Sequence, residues 1–176
     1  LALLGADATR WDYVRQLRST YGFEAPLEAA LAYTPGLKRL LDLRARTRAG
    51  LIAQDLLALG MSASELALLP QCFPIAPFSG PVEALGWLYV TERATLLHES
   101  IRRAIATRIP DAPGACAYLS AYEGLTSARW QQLGRVLDRA AETPRALGDL
   151  VTAANAGFRC LLAWRSGSLA SVAQGA

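Results

Sequence analysis

The sequence predicts a single all-α domain, and three of its properties lead to this prediction. The chain has 176 residues, a length at which one domain buries a sufficient core without disulfides or a structural metal. Ala and Leu dominate its hydrophobic residues, while the β-branched Val, Ile and Thr are sparse; unbranched side chains keep more rotamer freedom in a helix. Helix breakers divide the chain into segments of helical periodicity, and no repeat or low-complexity tract interrupts them.

The first two helices are predicted from periodicity and from their stop signals. Apolar residues recur at helical spacing over residues 9–32, which end before a Thr-Pro-Gly turn signal, and Pro26 is expected to bend this helix. A second helix is predicted over residues 37–59. It ends at Gly60, because glycine tolerates the left-handed conformation that terminates many helices.

A short helix and a long one are predicted next. Ser62 and Glu65 form an S-x-x-E capping box for the short helix, which ends before Pro70. The long helix covers residues 82–108 and opens after Pro81, since a proline in the first turn removes no intrahelical hydrogen bond.

Three further helices complete the prediction: one that follows Pro110 to Gly114 and runs through Tyr122, one over residues 125–141 and one over residues 144–164. Residues 1–165 form the helical domain, and residues 166–176 are small and polar enough to form a flexible tail. The predicted core consists of large apolar residues on the helical faces, namely Trp11, Leu17, Leu27, Trp87, Leu88, Trp130, Phe158 and Trp164.

Composition argues against several classes of function. The net charge of +3 is carried by Arg with a single Lys, interleaved with Asp and Glu, so no basic stripe indicates nucleic acid. The three cysteines, Cys72, Cys116 and Cys160, lie far apart in sequence without a CxxC motif, and neither a disulfide framework nor a zinc site is expected. No apolar run approaches the roughly 18 residues of a membrane span, and no signal peptide is recognised. We therefore expect a cytoplasmic protein with no membrane partner.

His98 is the only histidine and leaves two interpretations open. Its position in a predicted helix fits a histidine with a satisfied hydrogen bond, and it also fits a metal ligand. No Gly-rich phosphate loop and no G-x-S-x-G elbow is present.

Charged residues form two further groups. Glu24 and Glu28 lie on one helical face, and the favoured interpretation is a solvated ion-pair face with Arg15, Arg18 or Arg39. The run Arg44, Arg46 and Arg48 is interpreted as a solvated helix face, with a site that receives ligand carboxylates as the alternative. Cys160 lies on an apolar helix and is expected to behave as a small hydrophobe.

Four segments together resemble one known family. Residues 13–28 contain Y-x-x-x-L and P-L-E elements, and residues 86–92 read G-W-L-Y-V-T-E. The segment Y-E-G at residues 122–124, followed by a Trp, and the aromatic helix at residues 154–164 complete the set. In this order they resemble the bacterial, biliverdin-producing heme oxygenases of the type associated with bacteriophytochromes. The resemblance implies a heme-oxygenase-like helical bundle that holds heme between a proximal helix with a His ligand and a distal helix.

Two features depart from that family's pattern. The Glu that corresponds to Glu92 is followed in the family by a G-S-x-L-G-G-like pattern, whose glycines let the backbone approach heme and oxygen closely. Here residues 93–98 read R-A-T-L-L-H, and we predict that Arg93, Leu97 and His98 narrow the space above the expected heme plane. No residue of the chain corresponds to the proximal His, which makes His98 a candidate heme-iron ligand.

These departures favour a heme-oxygenase-like protein with a degenerate distal helix that binds a tetrapyrrole or acts in regulation. The alternative is an active heme oxygenase that cleaves heme to biliverdin, carbon monoxide and ferrous iron. Heme or a related tetrapyrrole is the implied ligand, and a bacteriophytochrome or a redox protein is the implied partner. Arg145 and Arg159 are candidates for contacts to heme propionates. The candidate cofactor-binding residues are Tyr21, Glu92, Arg93, Thr95, Leu97, His98 and Phe158.

Overall fold

The all-α prediction is confirmed by the computed structural model, which describes residues 2–5, 7–109, 112 and 114–167. These residues pack as one compact domain and contain no strand. None of their helices combines the length and apolar character needed to cross a bilayer. The α-helices are α1 (Arg10–Tyr33), α2 (Ala49–Ala58), α3 (Ala63–Ala67), α4 (Pro81–Ala94), α5 (His98–Arg108), α6 (Thr126–Ala140) and α7 (Pro144–Arg165). Short 3-10 segments lie at Ala2–Leu4, Leu37–Arg39, Arg44–Arg46 and Thr95–Leu97.

Helix α1 begins near the predicted residue and continues through a proline. The Thr9 hydroxyl accepts from the Asp12 N–H at 3.2 Å, and the Asp12 carboxylate accepts from the Thr9 N–H at 3.1 Å, which is a capping box. Pro26 has no N–H to donate to the carbonyl of Gly22 one turn earlier. The Cys72 N–H donates to that carbonyl instead, at 2.8 Å, so the freed acceptor anchors the loop before α4 to the middle of α1.

The second predicted helix, over residues 37–59, is wrong in its first half, because only Ala49–Ala58 is α-helical. Gly36 has a φ of +79°, and the Asp42 carboxylate accepts from the Arg44 N–H at 3.1 Å. A side chain that bonds nearby backbone in this way favours a turn over a helix. The predicted stop at Gly60 is confirmed, since its φ is +91°.

The predicted helix through Tyr122 is also wrong. Residues 114–125 form turns, and a distant carboxylate holds them in place. The two Asp55 oxygens accept from the N–H groups of Ala117 at 2.8 Å and Tyr118 at 2.9 Å. Sequence periodicity carries no information about such a partner, which lies on α2.

The long helix predicted over residues 82–108 is interrupted. It consists of α4, the 3-10 segment Thr95–Leu97 and α5. Pro81 occupies the first turn of α4 as predicted. The Ser62–Glu65 capping box of α3 is confirmed as well, and α6 and α7 match their predicted ranges to within one residue at each end.

Helices α4 and α7 cross closely at the centre of the domain, and two glycines permit the approach. A Cβ at Gly86 would lie 2.7 Å from the Cβ of Ala153 and 2.7 Å from the Leu150 carbonyl oxygen. A Cβ at Gly157 would lie 2.9 Å from a methyl group of Val90. The glycine of the G-W-L-Y-V-T-E segment therefore serves helix packing here.

Two apolar clusters form the core. The first cluster joins the second half of α1 to α4, α6 and α7 and includes Phe23, Leu27 and Trp87. The second cluster joins the first half of α1 to α2 and α5 and includes Leu17 and Ile105.

The predicted core residues divide by burial. Leu17, Leu27, Trp87 and Leu88 are buried as predicted, and Trp130, Phe158 and Trp164 are half-buried. The prediction for Trp11 is wrong, because this residue is 68% exposed. The Arg15 guanidinium carbon lies over the Trp11 ring, 5.4 Å from the ring centre. Residues 168–176 of the predicted tail lie outside the described residues.

Candidate functional site

A cleft of about 500 Å³ opens where α1, the junction between α4 and α5, and the end of α7 meet. Its α1 wall includes Gln16, Leu17 and Thr20, and its α7 wall includes Phe158 and Leu161. Small-molecule sites usually occupy roughly 300–1,000 Å³ and are mainly apolar. The cleft is therefore large enough for a ligand and mostly apolar in its lining.

The charged side chains of this cleft are positive. Arg93 of α4 and Arg165 of α7 line it, and both are exposed. Among the described residues that line the cleft there is no Asp or Glu. Guanidinium groups bind carboxylates in a planar, bidentate geometry. A ligand with an apolar body and carboxylate groups matches these walls.

The break between α4 and α5 sets the direction of His98. A 3-10 helix turns by about 120° per residue and an α-helix by about 100°. Over Thr95–Leu97 this difference rotates the following side chains by about 60° relative to a continuous α-helix. The Thr95 hydroxyl donates to the Glu92 carbonyl at 2.7 Å and supports the turn.

His98 is buried, with 5% of its surface exposed, and it lines the cleft. Its ring centre lies 4.6 Å from that of Tyr118. Its Nδ1 is buried and has no hydrogen-bond partner among the described residues. Burial, together with the positive charge of Arg48, lowers the pKa of His98 to about 3. The imidazole is thus neutral near pH 7 and keeps a nitrogen lone pair, which is the form that binds metals.

Tyr118 connects His98 to a buried ionic network. Its hydroxyl donates to Glu24 at 2.8 Å, and Glu24 pairs with Arg48 at 3.2 Å. Arg48 also pairs with Glu92 at 2.6 Å. The side chains of these three ionic residues are at most 4% exposed.

Arg46 completes this network from the other side of Glu92. It pairs with the second Glu92 oxygen and donates to the Arg129 carbonyl at 3.0 Å and to the Gln132 side chain at 3.2 Å. The Tyr122 hydroxyl donates to Glu92 at 2.8 Å. Two buried arginines thus balance two buried glutamates, as buried ions require.

Arg48, Tyr118 and Tyr122 keep their protons near neutral pH. Burial opposes the charge of Arg48, but the carboxylates of Glu24 and Glu92 hold the pKa of Arg48 above its ordinary value. Burial raises the pKa of Tyr122 to about 12 and the pKa of Tyr118 well above its ordinary value. Both tyrosines therefore remain hydrogen-bond donors, and the network supports the wall beside His98 as a fixed arrangement.

A second, smaller cavity of about 130 Å³ adjoins the network between α1 and residues 43–48. Glu28 lines it and accepts from the N–H groups of Arg48 and Ala49, the latter at 3.0 Å. These contacts cap the first turn of α2 from α1. Burial raises the pKa of Glu28 above its ordinary value.

The structure brings four of the predicted cofactor-binding residues together at the cleft: Arg93, Leu97, His98 and Phe158. Three others do not line it: Tyr21, Glu92 and Thr95. Glu92 belongs to the ionic network, and Thr95 is buried in the 3-10 turn. Tyr21 is half-buried against the second cluster. Arg145 and Arg159, the predicted propionate contacts, do not line the cleft either.

The predicted narrowing above a heme plane stays a prediction; Arg93, Leu97 and His98 all line the cleft of about 500 Å³. Leu97 is 43% exposed and Arg93 is also exposed. The 3-10 turn that precedes His98 departs from the continuous helix that was predicted for this segment.

The predicted solvated face of Arg44, Arg46 and Arg48 is wrong for the last two, which are 3% and 2% exposed. A signal was present in the sequence: Arg46 is two positions from Arg44 and from Arg48, so on a helix it would not share the face of those two arginines, which are four positions apart. The predicted solvated face of Glu24 and Glu28 is wrong too, since Glu24 is 3% exposed and Glu28 caps α2.

Sequence reasoning missed Arg165 and Tyr118 at the site. Arg165 stands at the end of α7, where a basic residue is common for reasons of the helix dipole alone, and no sequence signal distinguished it. Tyr118 lies in the turn region held by Asp55. In the comparisons with known proteins, no protein-family model, no curated protein and no solved structure matches this chain.

Proposed function

We propose that the protein binds a heme-related tetrapyrrole in the His98 cleft, as a heme-oxygenase-like protein with a degenerate distal helix. The observation that carries the proposal is the environment of the His98 side chain. His98 is buried and neutral near pH 7, its Nδ1 has no hydrogen-bond partner in the part of the chain that the structure describes, and it lines a mostly apolar cleft. An unpartnered buried polar atom costs free energy, and coordination of a metal by the imidazole uses its lone pair.

The rest of the cleft also fits this class of ligand. Phe158 and Leu161 offer apolar contact for a macrocycle, and the exposed Arg93 and Arg165 offer donors for its carboxylates. In such a complex His98 would hold the iron, Arg93 and Arg165 would orient the carboxylates, and the apolar walls would exclude water. Bound heme supplies the redox-active iron.

Two observations favour binding over catalysis. Glu92, which resembles the Glu that leads into the family's distal helix, is held in buried ion pairs away from the cleft. The residues in the place of the family's glycines include His98, and a helix that would supply an iron ligand there would not leave the room for oxygen that those glycines provide. We therefore assign no catalytic residue.

A hemin titration followed by absorption spectroscopy tests the proposal. We expect saturable binding with the spectrum of a histidine-ligated heme. Because the chain has one histidine, His98→Ala must remove that spectrum. Arg93→Gln combined with Arg165→Gln should weaken binding, whereas Arg145→Gln, a matched change on the exposed surface of α7, should not.

Two outcomes contradict the proposal. Absence of saturable hemin binding would rule out the tetrapyrrole site. Conversion of bound hemin to a biliverdin spectrum, with a reductant under oxygen, would show an active heme oxygenase and refute the binding-only assignment.

A further inference from the structure

Two of the three cysteines lie side by side although 88 positions separate them in sequence. The Sγ atoms of Cys72 and Cys160 are 3.5 Å apart, and both cysteines are free thiols. A disulfide bond measures about 2.05 Å, so the two sulfur atoms must approach by about 1.5 Å to bond. Because of this separation, the sequence alone does not show that the two thiols are in contact.

Contacts to α1 hold both thiols in place. The Cys72 N–H donates to the Gly22 carbonyl at 2.8 Å, which is the acceptor that Pro26 leaves free. On the other side, the indole N–H of Trp164 donates to the Ser19 carbonyl at 2.8 Å and ties α7 to the same part of α1. The loop that carries Cys72 and the helix that carries Cys160 are therefore attached to one common support.

The two cysteines differ in their access to solvent. Cys72 is fully buried, whereas Cys160 is half-buried on α7. Burial, together with the hydrogen bond to Cys160, raises the pKa of Cys72 to about 12. Cys72 therefore stays a thiol, and Cys160 is the sulfur that a small oxidant in solvent reaches first.

We propose that Cys72 and Cys160 form a modification site at which hydrogen peroxide oxidises the two thiols to a reversible disulfide. The Cys160 thiolate attacks one peroxide oxygen; the S–O bond forms, the O–O bond breaks, and hydroxide leaves and takes up the proton that Cys160 lost. The Cys72 sulfur then attacks the Cys160 sulfenic sulfur. The S–S bond forms, the S–O bond breaks, and the departing hydroxide takes the Cys72 proton. Two thiols lose two electrons, one peroxide accepts them, and two waters result.

The site is independent of the tetrapyrrole proposal, because its chemistry needs only the two thiols and peroxide. Its expected consequence is local: the bond joins the loop before α4 to α7. Helix α7 also supplies Phe158 and Leu161 to the wall of the cleft.

The test treats the reduced, full chain with a small molar excess of hydrogen peroxide and then alkylates the remaining thiols. We expect the count of free thiols per chain to fall from three to one, with a cross-linked Cys72–Cys160 peptide in the mass spectrum. Dithiothreitol should restore all three thiols. Cys116→Ser is the matched control: Cys116 is also half-buried, and its loss should leave formation of the cross-link unchanged.

Two variants separate the roles of the pair. Cys160→Ala should abolish the cross-link, and Cys72→Ala should accumulate a Cys160 sulfenic acid that dimedone traps. Circular dichroism verifies that each variant is folded, and Cys160→Ala, the less buried of the two, carries the test if Cys72→Ala fails to fold. Three free thiols after treatment, a cross-link that involves Cys116, or a Cys160 sulfinic acid without a cross-link would overturn the proposal.

Discussion

Substitution of Gly86 by Ala tests the close crossing of α4 and α7. The new Cβ would lie 2.7 Å from the Leu150 carbonyl oxygen, 2.8 Å from the Ala154 nitrogen and 2.7 Å from the Ala153 Cβ. Two of these three atoms belong to the α7 backbone, which has no rotamer with which to move aside. The helices must therefore separate by several tenths of an ångström, and contacts along the whole interface lengthen.

The expected change in the free energy of unfolding is the difference between two opposing effects. Overpacking in a core costs about 1–3 kcal/mol, and backbone contacts place this site at the upper end. Replacement of an interior helical Gly by Ala contributes about 1 kcal/mol in the opposite direction. We therefore expect Gly86→Ala to lower the free energy of unfolding by about 2 kcal/mol, which is a decrease in Tm of roughly 4–8 °C for a domain of this size.

Gly134→Ala is the matched control, because Gly134 lies inside α6 and a Cβ there would meet nothing within 4 Å. It should raise the free energy of unfolding by up to about 1 kcal/mol. Urea denaturation followed by circular dichroism measures both variants, with equal m-values as the condition for comparison. If Gly86→Ala is as stable as Gly134→Ala, the reasoning about the crossing is wrong.

Two further predictions concern buried titratable groups. Glu92→Gln leaves Arg46 and Arg48 without their shared carboxylate, and we expect urea denaturation to show that the free energy of unfolding falls by about 3–5 kcal/mol. Glu99→Gln removes only a surface partner and should leave the urea midpoint nearly unchanged. The second concerns His98, whose pKa is lowered by burial and by Arg48 to about 3 in the folded chain. The unfolded chain binds this proton first as pH falls, so the contribution of His98 to stability is complete above roughly pH 6.5 and is lost toward pH 3. Between roughly pH 7 and pH 5 we expect a loss of about 2 kcal/mol from this group, which His98→Gln should remove from the measured pH dependence.

One result for each variant would contradict the corresponding prediction. Equal losses of unfolding free energy for Glu92→Gln and Glu99→Gln would mean that the ion pairs of Glu92 are as accessible to solvent as the surface pairs of Glu99. A pH dependence that His98→Gln leaves unchanged would mean that His98 is accessible to protons in the folded chain.

Local chemistry explains the elements that the sequence predicts well. The start of α1, the Ser62–Glu65 capping box, the stop at Gly60 and the all-α class depend on hydrogen bonds and propensities within a few residues of each position. In each case the residues that interact lie within a few positions of one another in the sequence. Three of the four predicted residues that line the cleft, Arg93, Leu97 and His98, lie within the one segment at residues 93–98.

Long-range contacts explain the remainder. Arg46 and Glu92 are 46 positions apart, and their pairing places Arg46 in a buried network where the sequence predicts a solvated face. The break at Thr95–Leu97, which lies beside the cleft that His98 lines, has no signal in helical periodicity. Periodicity shows which residues share a face, but it does not show what that face meets, because burial and ion pairing depend on residues that folding brings together from distant parts of the chain. The contact between Cys72 and Cys160 has the same origin, because it joins the loop before α4 to a helix 88 positions farther along the chain.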